Sequence, residues 1–138
     1  MKIYLDTNFF IGFIEDENEV LERFYGDAAI GEAELFTSEL TLLETLTGAI
    51  RDGDMEEMTA YEDWLSEANE MLRVVPISRE VLRKAAEVRV TLGNKTPDAI
   101  HVATAALADC EVFVSSDRRL RVPQDMRKVG LEDLGTLL

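Results

Sequence analysis

The feature that most constrains the fold is a regular alternation of short apolar runs with pairs of amphipathic segments. The short runs have the composition of strands buried on both faces, and they occupy residues 3–5, 35–37, 72–77 and 111–115. Each of the first three is followed by two segments whose apolar residues recur at helical spacing. This order, β-α-α-β-α-α-β-α-α-β, predicts an α/β protein with a central, mostly parallel sheet and helices on both faces. The tail, residues 129–138, is a candidate for a last short strand.

Length and composition bound the organisation of the chain. Its 138 residues predict one domain spanning positions 1–138, and an apolar share of 46% is ordinary for a globular protein. Cys110 is the only cysteine, so it forms no internal disulfide, and we expect it to be a small buried side chain. No apolar stretch approaches the roughly 20 residues of a membrane span. This predicts a cytoplasmic protein with no membrane partner.

The net charge of −14, from 28 acidic and 14 basic residues, is unusual for a chain of this size. It is consistent with adaptation to a concentrated salt interior and equally with a simple acidic domain, and both interpretations stay open. It is not the basic surface of a typical nucleic-acid-binding protein. Any polyanionic partner must therefore be bound through cations or through a local arginine cluster.

Four acidic residues stand out by their position in this pattern. Asp6 directly ends the first apolar run, and Asp117 follows the last one. Asp98 opens the helix that leads into the last strand, so a parallel sheet brings it to the same edge as Asp6 and Asp117. Glu44 lies on an otherwise apolar helix. It joins the other three only if that helix packs over the same edge, which the sequence leaves open.

The residues around these acids have the character of helix starts. Thr7 and Asn8 are residue types that cap a helix, here directly after Asp6. Thr96 is predicted to cap the helix that begins at Pro97, with Asp98 in its first turn. The helix that carries Glu44 is expected to bury an apolar stripe, which comprises Leu40, Leu42, Leu43, Leu46 and Ile50.

Clustered carboxylates indicate a specific chemistry. They repel one another and are costly to remove from water unless a cation compensates them. No lysine or arginine is placed to pair with all four acids, so the natural partner is Mg²⁺ or Mn²⁺, which prefer oxygen ligands. The reaction that such a centre suits is metal-assisted hydrolysis of a phosphodiester, in which the metal activates a water molecule and stabilises the leaving oxygen.

Each of these residues also has a purely structural interpretation. Any one of 28 acids can be a surface charge, Asp98 can be a helix-dipole partner, and Asp117 can be a turn residue. His101, one helical turn after Asp98, is interpreted as a structural histidine, with a supporting place behind the site as the alternative. Arg118 and Arg119 either contact a phosphate or neutralise nearby acids.

Taken in order, these segments resemble the motifs of the PIN-domain ribonucleases, and most closely those of VapC-type toxins of toxin–antitoxin pairs. The segment LDTN at 5–8 is similar to the first acidic motif of that family, and TSELTLLE at 37–44 is similar to the second. The segment TPDAIHVATAA at 96–106 is similar to the third, and VSSDRRL at 114–120 is similar to the fourth. The resemblance covers the whole chain.

The resemblance implies a Mg²⁺-dependent endoribonuclease built as a three-layer α/β/α sandwich. By resemblance, the catalytic residues and metal ligands are Asp6, Glu44, Asp98 and Asp117. The supporting residues are Thr7, Asn8 and Ser115. It also implies an RNA substrate, a homodimer, and a small antitoxin protein that occupies the site.

Three other functions are compatible with parts of this pattern. The first is a PIN-domain nuclease of RNA processing that has no antitoxin. The second is a non-catalytic interaction module with the same fold, which the presence of all four acids argues against. The third is a phosphatase of the haloacid-dehalogenase type, but that family places a second aspartate two residues after the first, where this chain has Asn8.

Overall fold

The computed structural model describes residues 1–138 and contains one five-stranded sheet. Its strands are β1 (Lys2–Leu5), β2 (Glu34–Ser38), β3 (Leu72–Val75), β4 (Val112–Val114) and β5 (Arg127–Val129). They lie in the order β3-β2-β1-β4-β5, and every neighbouring pair is parallel. The predicted parallel sheet is therefore confirmed, with β1 at its centre.

Pairs of helices connect the first four strands, as the sequence pattern predicts. They are α1 (Thr7–Phe10), α2 (Glu19–Ile30), α3 (Glu39–Arg51), α4 (Met55–Trp64), α5 (Arg79–Leu92) and α6 (Thr96–Leu107). A π-helical turn, Ile11–Glu15, continues α1, and a 3₁₀ helix, Leu131–Thr136, follows β5. No helix combines the length and the apolar character needed to span a membrane.

The tail differs from the prediction of a strand within residues 129–138. The last strand, β5, ends at Val129, where it pairs with Val114 of β4. Beyond it the 3₁₀ helix buries Leu134, and Leu137 follows, also buried. These leucines pack into the core on one face of the sheet rather than extending the sheet edge.

The two faces of the sheet carry separate apolar cores, because side chains alternate between faces along a strand. On one face, Ile3 and Leu5 pack with residues of α1, α2, α4 and the 3₁₀ helix. On the other, Tyr4 and Phe113 pack with residues of α5 and α6. Helices therefore cover both faces, which confirms the expected three-layer α/β/α sandwich. Cys110 is buried in the second core, as predicted.

Helix α3 buries a different face from the one that its leucines predict. Leu43 is 62% exposed and Ile50 is 59% exposed, so the predicted leucine stripe is wrong for both. The buried residues of α3 are Thr41, Thr45 and Ala49. The Thr41 hydroxyl lies 2.8 Å from that of Thr37 on β2, so small, hydrogen-bonded side chains bring the helix close to the sheet. Hydropathy alone does not reveal such a contact.

The carboxyl group of Glu57, in the first turn of α4, is paired with that of Glu15 in the π-helical turn, and this pair gives a prediction about stability. Partial burial, and the charges of Glu15 and Asp54, raise the pKa of Glu57 to about 7. Because the folded chain then holds this proton more tightly than the unfolded chain, the contribution to stability is complete below the ordinary pKa of 4.5 and is lost as the pH rises through 7. Glu57→Gln is therefore expected to raise the free energy of unfolding near pH 8 by at most about 1 kcal/mol, because solvent screens this partly exposed pair.

Thermal melting near pH 8 and near pH 4 measures this effect, which amounts to about 3 °C for a chain of this size. Near pH 4 the variant and the native chain are expected to melt together, since Glu57 is then protonated in both states. Glu62→Gln removes the same charge from an exposed position of the same helix and serves as the control. An equal gain at both pH values would contradict the assignment.

Candidate active site

The strand order creates a topological switch point between β1 and β4. From β1 the sheet grows toward β2 on one side and toward β4 on the other, and ligands of open parallel sheets bind at the carboxyl ends of such strands. Asp6 follows β1, and Ser115 follows β4. The backbone N–H of Asp6 donates to the carbonyl of Val114 at 3.0 Å, so the two strand ends are fixed side by side.

The carboxylate of Asp6 is buried, at 5% exposure, and is held by donors from both strand ends. Its Oδ1 accepts from the backbone N–H of Thr7 at 2.8 Å, which makes Asp6 itself the N-cap of α1 in place of Thr7 or Asn8. Its Oδ2 accepts from the Ser115 hydroxyl at 2.7 Å and from the Asn8 side-chain amide at 3.3 Å. The three predicted supporting residues therefore all contact Asp6.

Glu44 reaches the same edge through His101. Its Oε1 lies 2.6 Å from Nε2 of His101 and accepts from the Thr7 hydroxyl at 2.8 Å. The same Nε2 lies 3.6 Å from Oδ1 of Asp6, and Nδ1 of His101 lies 2.6 Å from the Tyr4 hydroxyl. Burial acts to raise the pKa of Glu44, but the hydrogen bond and charge of His101 and the bond from Thr7 hold it below its usual value. Glu44 is thus an ionised carboxylate beside Asp6.

Asp98 lies in the first turn of α6. Lys95 is the N-cap of this helix and Thr96 is its first residue, so the predicted cap at Thr96 is wrong by one position. Partial burial, and the negative charges of Asp117 and Asp6, raise the pKa of Asp98. Asp98 also lines one polar cleft with Glu44 and Asp117, so it lies at the same edge of the sheet as these two acids.

Asp117 completes the group from the loop after β4. Its backbone N–H donates to the Ser115 hydroxyl at 3.0 Å, and its Oδ1 accepts from the backbone N–H of Arg119 at 2.9 Å. Asp117 lines a polar cleft of about 540 Å³ with Glu44 and Asp98. The other lining residues are Gly93, Asn94, Lys95, Pro97 and Arg119. The structure therefore brings the four predicted acids to one edge, with Asp6 joined to the cleft through His101 and Thr7.

The donor chemistry of this group fits a hard divalent cation. None of the four carboxylates is in an ion pair with lysine or arginine, and their only ionisable partner is His101. As the side chains stand, no three His, Cys, Asp or Glu side chains are close enough together to hold an ion.

Residues 3–125 match the family model of the PIN domain. The matched region contains all four acids and overlaps strands β1 to β4 but not β5. The chain belongs to the PIN domain family. The resemblance of its four motifs to this family is thereby confirmed. No curated protein sequence is significantly similar to this PIN domain.

Solved structures share the fold of this PIN domain at low sequence identity. VapBC2 from Rickettsia felis, bound to a DNA fragment from its promoter, is 15% identical with a TM-score of 0.77, over 94% of this chain and 98% of that one. DNA-bound VapBC from Salmonella typhimurium is 19% identical with a TM-score of 0.71, over 95% and 98%. VapBC-5 from Mycobacterium tuberculosis is 19% identical with a TM-score of 0.60, over 94% and 98%. At these identities the likeness establishes the fold.

Two residues of the PIN-domain site were not assigned to it from the sequence. His101 is buried, as the structural interpretation requires, but it also contacts Glu44 and so lies at the site. Its spacing of three residues from Asp98 places both on one face of α6, which is the signal that favours this position. Tyr4 lies on the central strand β1, and nothing in the sequence around it distinguishes it from an ordinary core residue.

Proposed function

We propose that this PIN domain is a Mg²⁺- or Mn²⁺-dependent endoribonuclease and the toxin of a VapBC-type toxin–antitoxin pair. The observation that carries the proposal is the convergence of Asp6, Glu44, Asp98 and Asp117 on one polar edge without a lysine or arginine ion pair. Such a group is costly to keep ionised unless a cation compensates it. Family membership supports a nuclease, and the similar solved structure VapBC-5 is a member of the VapBC family of toxin–antitoxin systems.

In this proposal the four carboxylates hold the metal, and the neighbouring side chains hold the carboxylates. When bound, the metal activates a water molecule and stabilises charge on the leaving oxygen of the phosphodiester. Ser115 and Asn8 fix Asp6, while Thr7 and His101 fix Glu44. The pKa of Asp98 is raised by partial burial and by the charges of Asp117 and Asp6, and a bound cation would favour its ionised form.

Three further properties belong to the same proposal. Residues 1–138 act as one domain, because all four acids lie around a single sheet. The protein forms a homodimer and binds a small antitoxin protein that covers the site. It acts in the cytoplasm, where its RNA substrates are found.

Cleavage of RNA by the purified protein with and without metal tests this function. With Mg²⁺ or Mn²⁺, we expect new RNA ends that map to discrete positions, and EDTA is expected to abolish them until metal is added back. Induced expression of the chain is expected to arrest growth of the host. Cleavage that persists in EDTA would contradict a metal-dependent site, and metal binding without cleavage of any RNA would favour a non-catalytic module.

A further inference from the structure

Two basic side chains lie inside the acidic cleft without neutralising it. Lys95 and Arg119 line the cleft together with the carboxylates of Glu44, Asp98 and Asp117. Both are exposed, and neither lies within ion-pair distance of any of these acids. In a chain of net charge −14, two cations this close to several carboxylates remain available to a ligand.

A second polar cleft adjoins the first at Asp117. It has a volume of about 470 Å³, and Asp117 lines both clefts. The other residues that line it are Ser115, Ser116, Arg118, Lys128, Gly130 and Glu132. Arg118 is exposed and has no ion pair, so each side of Asp117 presents a free guanidinium group.

The loop that carries the two arginines is fixed by the amine of a half-buried lysine, Lys128. The Nζ of Lys128 donates to the backbone carbonyls of Asp117 and of Leu120, the latter at 2.7 Å. The Asp117 side chain also accepts from the backbone N–H of Arg119. The amine of Lys128 is therefore bound by backbone carbonyls of the protein. The consecutive residues Arg118 and Arg119 lie on this fixed loop, and each lines a different cleft.

Neither cleft offers a base-stacking surface, because none of the residues that line them is hydrophobic or aromatic. Proteins that hold single strands through their bases place aromatic side chains along the groove, while phosphates are held by Lys and Arg. These clefts therefore suit the backbone of a polynucleotide and not its bases.

We propose that the two clefts form one track for an RNA strand, which crosses Asp117 and is held by its phosphates on both sides. Arg118 contacts the backbone on one side, and Lys95 and Arg119 contact it on the other. The proposal rests on the proposed ribonuclease function and adds the path of the substrate and the way it is recognised. It also explains how so acidic a chain binds a polyanion, since three cations without an acidic partner line the place where the substrate lies.

Binding of fluorescein-labelled oligouridine to the Asp6→Asn protein in Mg²⁺, measured by anisotropy over a range of salt, tests the track. Each phosphate contact to a single strand contributes about 0.7 to the slope of log K against log salt. Adding Arg118→Gln, Arg119→Gln or Lys95→Gln is expected to lower the slope by about 0.7 each. The weakening is expected to be equal for oligouridine and oligoadenosine, because only phosphates are contacted.

Arg121→Gln is the matched control, since Arg121 is exposed on the same segment but donates to the carbonyl of Leu92 and lines neither cleft. An unchanged slope in the Arg118 and Arg119 variants, or an equal loss in the Arg121 variant, would overturn the track. Unequal weakening between the two oligonucleotides would overturn recognition through phosphates alone. If the native chain binds RNA with these slopes but does not cleave it, the nuclease fails while the track stands.

Discussion

The Asp6→Asn variant is expected to cleave RNA at least about 100-fold more slowly than the native chain, and to melt close to the temperature of the native chain. Residues that only support a metal ligand typically cost 10- to 100-fold when replaced, so a direct ligand is expected to cost more. Asp6 is the acid that the surrounding structure orients most completely, with bonds from Thr7, Asn8 and Ser115. Asparagine keeps the shape but not the charge that binds a cation.

The stability of this variant is what separates a site residue from a structural one. An asparagine still accepts the backbone N–H of Thr7 through its Oδ1, so the cap of α1 is retained, but its Nδ2 cannot accept from Ser115 and Asn8 as the Oδ2 of Asp6 does. Against this loss, removing one buried charge relieves the repulsion that adds to burial in raising the pKa of Asp98. A residue whose loss abolishes activity while leaving stability unchanged or improved is typical of an active site.

Initial rates of RNA cleavage and thermal melting of the same preparations measure the two effects. Asp125→Asn removes the same charge from an exposed loop and is the control. Retained, EDTA-sensitive cleavage in the Asp6 variant would show that Asp6 is not a ligand. A large drop in melting temperature together with lost activity would point to a structural role instead.

The parts of this molecule that were predictable are those fixed by local sequence. Apolar runs of three to six residues are typical of buried parallel strands, and the acid that ends such a run must lie at the carboxyl edge. Asp6 and Asp117 accordingly follow the neighbouring strands β1 and β4, on either side of the switch point. Asp98 lies at that edge because the crossover helix has to start there.

The parts that were not predictable depend on how helices rotate against the sheet. The buried face of α3 is set by the contact of Thr41 with Thr37, and the composition of the helix favours Leu43 instead. The same rotation decides that Glu44 meets His101, a pair 57 residues apart in the chain. That the ligands of the proposed metal are carboxylates could be predicted from the sequence, whereas the distances between them follow from these side-chain contacts.

His101→Leu is expected to slow RNA cleavage by about 10- to 100-fold, the usual cost of losing a side chain that orients a metal ligand. It is also expected to lower the free energy of unfolding by about 1–3 kcal/mol, because a buried polar partner is left unsatisfied. That partner is Tyr4, which is fully buried and whose pKa is raised well above its usual value, first by burial and then by the charge of Asp6. Tyr4 therefore stays a phenol.

The hydrogen-bond roles of the imidazole follow from its two neighbours. Ionised Glu44 only accepts hydrogen bonds, so Nε2 of His101 carries the proton and donates to it. The other ring nitrogen, Nδ1, lies 2.6 Å from the Tyr4 hydroxyl, so the ring is held by a hydrogen bond on each side. In this arrangement Tyr4 orients His101, and His101 in turn orients Glu44.

Two variants separate this positioning role from simple loss of packing. Glutamine at position 101 keeps an N–H donor for Glu44, so His101→Gln is expected to recover most of the cleavage rate that His101→Leu loses. Thr104→Val, buried one turn further along α6, removes a hydroxyl that donates only to the carbonyl of Ile100 and is expected to cost stability without slowing cleavage. For each variant, the rate of RNA cleavage and the affinity for Mn²⁺, determined by calorimetry, measure the expected effect. If the Gln and Leu variants bind Mn²⁺ equally weakly, the donor to Glu44 is not what His101 contributes, because only the donor distinguishes them.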